Sequence, residues 1–252
     1  MGKLYIVATP IGNLNDISFR ALEILKNVDI IACEDTRQTL KLLNHYEIKK
    51  KLVAYHKFNE KDKTNSLVKE LLNGINIALV TDAGTPCISD PGYILVSAAH
   101  KNDIEVYAIP GASAVVSALS VSGLDTHEFS FIGFLPIDNT KFKLEILKMK
   151  KSEINTFVIY ESPKRIVKLI GKLKEYFKDS QIFIASDLTK IHERAIFGNI
   201  RDVYEKITND PNIEKGEYVI VLEKKKTEFV SEKEDISFEA MIIDTMKKNT
   251  CS

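Results

Sequence analysis

Short apolar runs alternate with amphipathic stretches along most of the chain, and this alternation limits the folds available to it. Runs of four to eight residues, rich in β-branched side chains, are typical of buried strands. Strands that alternate with helices predict an α/β fold with a largely parallel sheet. The apolar runs cover residues 4–8, 30–33, 77–81, 104–109, 129–135, 156–160, 181–185 and 218–222. The helical stretches cover residues 65–72, 93–100, 112–122, 139–149, 163–176 and 202–207.

Two further features define the expected organisation. Asp16 or Ser18 can cap a helix whose apolar residues share one face, and Pro163 is expected in the first turn of the helix that it begins. Residues 120–125 combine small and turn-forming residues after a helix, which predicts a domain boundary. We therefore expect two α/β domains, followed by a polar tail with one amphipathic helix. Their expected bounds are residues 1–122, 123–228 and 229–252.

Polar loops rich in glycine, proline and acidic residues follow most of the predicted strands. In open α/β sheets, ligands bind outside the carboxyl ends of the strands, where glycine lets the backbone approach a ligand closely. Ordinary turn chemistry explains any one loop, but no turn requires Asp82, Ser89 and Asp90 among two prolines and two glycines. We therefore expect one cleft at these loops. They cover residues 9–13, 34–37, 81–92, 110–114, 161–165 and 186–190.

Several known motifs are absent, and each absence excludes one class of binding or catalytic site. The chain has no G-x-G-x-x-G after its first strand and no G-x-x-x-x-G-K-[ST], so a dinucleotide or P-loop site is not expected. The five histidines are scattered, so no metal site is expected. Cys33 and Cys87 are expected to be small buried residues rather than nucleophiles. A cleft of backbone and carboxylates suits an adenosine-type ligand.

Length and composition are those of a folded protein of the size of an enzyme. Its 252 residues are 44% hydrophobic, which excludes a disordered or low-complexity protein. It has no apolar run of transmembrane length and no signal-peptide pattern at its N-terminus. The three cysteines form no C-x-x-C pair. We expect a reduced, cytoplasmic protein that is not bound to membranes.

Basic residues are concentrated in one segment, although 35 basic and 35 acidic residues balance over the chain. Residues 141–178 contain eleven Lys or Arg and only four acidic residues. Such a segment can form the phosphate-facing surface that RNA binding requires. A solvated, lysine-rich helix face has the same composition, so charge alone leaves both interpretations open.

Seven segments together point to one family. They read LYIVATPIGNLNDISFRALEIL, IIACEDTRQTLKLLNHY, ALVTDAGTPCISDPGYILV, IPGASAVVSALSVSGL, FIGFLP, YESPKRI and KGEYVIVLE. In this order they closely resemble the bacterial ribosomal RNA small-subunit methyltransferase I family, within the tetrapyrrole methylase superfamily. The resemblance extends from about residue 3 to residue 223. One departure is Ser186-Asp187, where the family usually has Arg-Glu.

The resemblance implies a function and a set of donor contacts. It implies S-adenosylmethionine as methyl donor, bound in a cleft between two α/β domains, and a homodimer. The implied acceptor is the ribose 2′-hydroxyl of a cytidine in the decoding region of 16S ribosomal RNA. The implied donor contacts are Pro10, Asp82, Ala83, Gly84, Pro86, Ser89, Pro110, Ser113, Ala114, Tyr160, Lys215, Gly216 and Glu217.

The acceptor hydroxyl must lose a proton, and a carboxylate or lysine at the cleft could assist. Our candidates are Asp35, Glu34 and Asp90, followed by Glu161 and Lys164; each carboxylate could instead only brace its loop. Tyr55, His56 and Tyr160 could stack a flipped base, although packing is the simpler role. The candidates for RNA contacts are Arg37, Lys141, Lys143, Lys148, Lys164 and Arg165.

Two other functions remain open at this stage. A small-molecule methylase acting on a tetrapyrrole (precorrin-like) substrate would use the same donor and fold. A non-catalytic ribosome-assembly module would keep the fold and the basic segment but transfer no methyl group. The acceptor that gains label from a labelled donor distinguishes these possibilities.

Overall fold

The computed structural model describes residues 1–225, so the predicted tail over residues 229–252 lies outside the described part. The first half alternates strands and helices, as the apolar pattern predicts. Its elements are β1 (Leu4–Val7), α1 (Phe19–Asn27), β2 (Ile30–Cys33), α2 (Thr36–His45), β3 (Lys51–Ala54), α3 (Glu60–Leu72), β4 (Ile77–Leu79), α4 (Tyr93–Lys101), β5 (Val106–Ile109) and α5 (Ala114–Val121).

The first five strands form one parallel sheet in the order β3-β2-β4-β1-β5. α1 and α2 cover one face of it, and α3 and α4 cover the other. Because the strands are parallel, the loops that follow them emerge at the same edge. This topology brings the polar loops after β1, β2, β4 and β5 together.

The second half forms a mixed sheet. Its elements are β6 (Phe129–Phe134), α6 (Asn139–Lys151), β7 (Thr156–Glu161), α7 (Ile166–Tyr176), β8 (Gln181–Ser186), β9 (Arg194–Asn199), α8 (Ile200–Thr208) and β10 (Tyr218–Glu223). The strand order is β6-β7-β10-β8-β9, and only the β6–β7 pairing is parallel. α6, α7 and α8 pack on one face of this sheet through an apolar core.

α5 covers the other face of the second sheet. Its buried residues Val115 and Leu119 pack against Val158 and Phe183 of that sheet. The helix directly follows β5 of the first sheet, so the chain crosses between the sheets before α5 begins. The domain division at residue 122 falls just after this helix and stays a prediction.

The residues just before α1 and α7 decide where these helices begin. Ser18, one of the two predicted caps, begins α1, and its hydroxyl accepts the N–H of Ala21 at 3.1 Å. The expectation for Pro163 is wrong, since α7 begins at Ile166 and residues 163–165 form a turn before it. The side chain of Arg165, at the cap position, is directed toward Glu161 by an ion pair of 3.0 Å.

Candidate active site

A cavity of about 440 Å³ opens between loops of the first sheet and strand ends of the second. Its walls come from both halves of the chain, as expected for a cleft between two α/β units. The first half contributes residues 11, 83–85, 88–90, 113 and 114. The second half contributes residues 134, 160–163, 188 and 217–219.

The loops after β1 and β4 are joined at the base of the cavity. Thr9 and Gly84 form an isolated antiparallel bridge, with N–H···O distances of 2.9 and 3.0 Å. The Thr9 hydroxyl also donates to the carbonyl of Thr81 at 3.1 Å. Gly84 has a φ of +86°, a conformation that favours glycine. The bridge therefore holds backbone, rather than a bulky side chain, against the cavity.

The loop from Asp82 to Gly92 folds back on itself. Gly92 has a φ of +146°, and a Cβ placed on it would lie 2.4 Å from Sγ of Cys87. Burial raises the pKa of the Cys87 thiol to about 11, so the thiol stays protonated at neutral pH. This arrangement agrees with a packing role for Cys87.

Tyr160 closes the cavity from the second sheet. Its ring packs edge-on against Phe131 and Phe134, with centroid distances of 5.0 and 5.8 Å. Burial raises the pKa of its phenol to about 12. Tyr160 is therefore a neutral aromatic wall that its neighbours hold in place.

Seven of the thirteen implied donor contacts line the cavity: Ala83, Gly84, Ser89, Ser113, Ala114, Tyr160 and Glu217. The other six do not line it. Pro10 and Pro86 are buried within their loops, Pro110 and Lys215 are exposed, and Asp82 and Gly216 face neighbouring loops. Asp82 accepts the backbone N–H of Asp35 at 3.1 Å, and Gly216 lies against Asp187.

An ion-pair network borders the cavity where the chain departs from the family pattern. Nζ of Lys190 lies 2.8 Å from Oδ1 of Asp187 and 2.8 Å from Oε2 of Glu217. The adjoining Thr189 hydroxyl accepts the backbone N–H of Asn13 at 3.0 Å, which links the two halves. Asp187 thus neutralises part of the lysine's charge and helps to hold this wall.

Three acidic residues gather beside the cavity at the ends of β2 and β4. Burial, together with neighbouring negative charge, raises the pKa values of Glu34, Asp82 and Asp90 from their ordinary values. The Thr81 hydroxyl donates to Oε2 of Glu34 at 3.2 Å and also interacts with Asp90. Among these acids, Asp90 directly lines the cavity.

Asp35 is in a different electrostatic environment. It caps α2 by accepting the backbone N–H of Arg37 at 2.8 Å, and the Arg37 guanidinium lies 2.6 Å from its carboxylate. These hydrogen bonds lower the pKa of Asp35 to about 2. A carboxylate so stabilised is a weak base, and Arg37 is held against it.

The remaining RNA candidates fall into two groups. Lys141, Lys143, Lys148 and Lys164 are exposed, and Lys148 forms an ion pair with Glu145 at 2.9 Å. Arg165 instead points inward to the buried Glu161 and donates to the carbonyl of Leu135 at 3.0 Å. Tyr55 is 1% exposed and bonded to Thr64, so it is a packing residue.

The sequence analysis did not assign to the donor site several residues that line the cavity. Ile11, Thr85 and Ile88 belong to loops that the analysis had singled out, so their loop positions were the available signal. Leu188 likewise lies in one of these loops, whereas Phe134, Tyr218 and Val219 belong to strands of the second sheet, where an apolar run gave no sign that it faced a ligand. Within residues 1–225, no cluster of three or more His, Cys, Asp or Glu could hold a metal ion, and no helix could span a membrane.

Comparison with known proteins shows the family to which the chain belongs. The sequence profile described as Tetrapyrrole (Corrin/Porphyrin) Methylases matches residues 3–204. The ribosomal RNA small subunit methyltransferase I of Hydrogenobaculum sp. is 44% identical over 89% of this chain and 97% of its own. Its counterpart from Thermotoga maritima is 42% identical over 90% and 100%. The chain belongs to the tetrapyrrole methylase family, in its ribosomal RNA small subunit methyltransferase I branch. The resemblance found in the sequence is thereby confirmed.

Solved structures show the same fold at low sequence identity. Diphthine synthase aligns with a TM-score of 0.65 at 13% identity, over 89% of this chain and 90% of its own. A uroporphyrin-III C-methyl transferase from Thermus thermophilus, complexed with S-adenyl homocysteine, aligns with a TM-score of 0.59 at 16% identity. That alignment covers 87% of this chain and 97% of the other. The predicted two-part α/β architecture is confirmed.

Proposed function

We propose that this protein transfers the methyl group of S-adenosylmethionine to a cytidine ribose 2′-hydroxyl in the decoding region of 16S ribosomal RNA. The observation that carries the proposal is its similarity, over nearly the whole chain, to ribosomal RNA small subunit methyltransferase I. The motifs behind that similarity supply the loops that line the cavity. We also propose that it acts as a homodimer in the cytoplasm.

The residues of the cavity fit a nucleoside donor. Small residues and backbone from the loops at 83–85 and 113–114 form one wall, and Tyr160 supplies an aromatic surface on the other. S-adenosylmethionine supplies an electrophilic methyl group and leaves as S-adenosylhomocysteine. Strong ionic pairing to its positive sulfur would stabilise the ground state more than the transition state. The backbone, the small side chains and neutral Tyr160 add no such pairing to the charges of Asp90, Glu161 and Glu217 in the lining, and orientation is then the main catalytic effect.

Asp90, with Glu34 behind it, is the proposed proton acceptor. Asp90 lines the cavity, and its charge raises the pKa of Glu34, which accepts a hydrogen bond from the Thr81 hydroxyl. As the new O–C bond forms and the donor's S–C bond breaks, the 2′-hydroxyl proton passes to this carboxylate pair. A raised pKa makes a carboxylate a better base near neutral pH, provided that it is ionised. Asp35, with a pKa near 2, is the weaker candidate.

The decisive experiment offers the purified protein a labelled donor and three acceptors. These are small ribosomal subunits, free 16S ribosomal RNA and a porphyrinoid. We expect label in the RNA of one of the first two, at a single cytidine that mass spectrometry identifies as 2′-O-methylated. Label in the porphyrinoid alone would support a tetrapyrrole methylase. No label anywhere, with intact ribosome binding, would support an assembly module.

A matched pair of variants shows whether the label comes from this protein or from a contaminating enzyme. Asp90→Asn removes the proposed acceptor, and Asp62→Asn removes an exposed carboxylate from α3. Label should be lost with the first and retained with the second. RNA from cells that lack the gene should miss the same methyl group.

A further inference from the structure

A second cavity, of about 190 Å³, lies beside the donor cavity on the second sheet. Its cationic side chains come from α7 and the turn before it: Arg165, Lys168 and Lys172. Positions three and four residues apart share one face of a helix. All three cationic side chains therefore line the same cavity. Pro136 and Ile137 form its apolar side.

Two of these cationic side chains are held in position, and all but one of the groups that hold them are uncharged. Lys172 donates to Oδ1 of Asn139 at 2.8 Å and lies 4.8 Å from the centre of the Phe142 ring. Arg165 is oriented by the carbonyl of Leu135 and by Glu161. Amide, carbonyl and ring contacts carry no negative charge, so Glu161 alone offsets the three cations of the lining. The lining therefore has a net positive charge, on side chains that are already held in place, as an anion site requires.

Glu161 belongs to the walls of both cavities. Its side chain is fully buried, and its Oε1 accepts the N–H of Ser162 at 2.7 Å. An anion in the second cavity would therefore be separated from the donor cavity by one side chain. In a polynucleotide, phosphates flank every ribose, so a phosphate held here would leave a neighbouring ribose near the donor.

We propose that this second cavity, the phosphate subsite, binds one backbone phosphodiester of the RNA next to the ribose that is methylated. This inference rests on the proposed function and deepens it, because it names the contacts that bring the acceptor strand to the donor. Because Nη2 of Arg165 is bonded to Leu135 and Glu161, Lys168 and Lys172 are the main donors to the phosphodiester oxygens, and Arg165 adds positive charge beside them. Phosphate contacts position an RNA without reading its sequence.

The test uses the full chain with Lys168→Gln and Lys172→Gln combined. The matched control is Lys178→Gln with Lys206→Gln, which removes two exposed lysines outside the subsite from the same half of the chain. Binding to small ribosomal subunits is measured over a series of salt concentrations. We expect the subsite variant to bind about tenfold more weakly, the scale of a lost hydrogen bond to a charged group. Its log–log salt slope should be shallower by about one.

Two further measurements complete the design. Calorimetry with S-adenosylhomocysteine should give the same Kd for wild type, subsite variant and control, because neither lysine lines the donor cavity. Ethylation of one RNA phosphate should weaken binding to wild type and have little effect on the subsite variant. If the double variant fails to fold, Lys168→Gln alone changes only an exposed side chain and carries the same test.

The outcomes separate the two proposals. A wild-type protein that methylates no ribosomal RNA overturns the proposed function. Wild-type methylation together with a subsite variant whose affinity and salt slope equal those of the control overturns the phosphate subsite alone. Loss of affinity at every salt concentration with an unchanged slope would also contradict it, since the lost contact would not be ionic.

Discussion

The hydroxyl of Thr81 donates a hydrogen bond to Oε2 of Glu34 at 3.2 Å, and the nearby charge of Asp90 raises the pKa of the same carboxyl group. A hydroxyl donates one proton and can accept from a second group. Its one proton goes to a single acceptor, which in this geometry is Glu34. Since Asp90 also raises the pKa of Glu34, the two groups titrate as a coupled pair. Such a pair can take up a proton at the edge of the donor cavity.

We expect Asp90→Asn to lower turnover about a hundredfold, the usual scale for losing a general base. The asparagine keeps the size of the side chain but removes its basicity. Single-turnover methylation of small ribosomal subunits measures the effect, and calorimetry with S-adenosylhomocysteine should show unchanged donor binding. Turnover close to that of wild type would exclude Asp90 as the proton acceptor.

Asp82→Asn should shift the pH profile without lowering its plateau. The charge of Asp82 raises the pKa values of both Glu34 and Asp90. Turnover needs the ionised pair, so it falls as pH decreases through these raised pKa values. Without that charge the pKa values decrease, and the acid limb of kcat should move to lower pH. An acid limb that stays in place would show that this pair does not control turnover.

Asp35→Asn should preserve turnover and change stability. Its folded pKa of about 2 lies below the ordinary value of 3.8, so its pairing with Arg37 stabilises the fold above about pH 4 and is lost as pH falls toward 2. Asparagine keeps the helix cap and loses only the ionic part. Thermal unfolding should show a lower Tm for the variant at pH 7 and a smaller difference at pH 3. A hundredfold loss of turnover would instead identify Asp35 as the base.

Substitutions at Tyr160 should distinguish the contribution of its ring to donor binding from that of its hydroxyl. Tyr160→Phe should bind S-adenosylhomocysteine with nearly wild-type affinity, because the ring still packs between Phe131 and Phe134. Tyr160→Ala removes the aromatic wall and should weaken binding about tenfold or more, the cost of losing a buried aromatic contact. Equal Kd values for the two variants in calorimetry would show that the ring does not touch the donor.

Gly92→Ala should destabilise the protein more than Gly74→Ala. Both glycines have positive φ values, +146° and +93°, but only Gly92 is crowded, with Sγ of Cys87 at 2.4 Å from an added Cβ. Backbone strain costs about 1–3 kcal/mol and overpacking adds a further 1–3 kcal/mol. Urea unfolding of the two variants measures the difference. Equal free energies of unfolding would mean that the loop moves away from Gly92 at no cost.

The sequence analysis did not predict three elements, β3, β9 and α2, and each omission has a physical reason. β3 and β9 are edge strands, and each contains only three consecutive apolar residues, a run shorter than those by which the buried strands are recognised. α2 is mostly polar, with three leucines among ten residues and only Thr39 and Leu43 buried, so its sequence has little apolar signal. The strands that lie inside the sheets were predicted to within one or two residues of their ends.

The sequence by itself determined the α/β class, the polar loops after parallel strands and the family, because periodicity, turn residues and motifs are local properties. Only the tertiary structure decided which carboxylate is a weak base and which has a raised pKa. Asp35 and Glu34 are adjacent in sequence, yet one pairs with Arg37 at the surface and the other is partly buried beside Asp90. Desolvation and charge contacts depend on neighbours that folding brings together from distant parts of the chain.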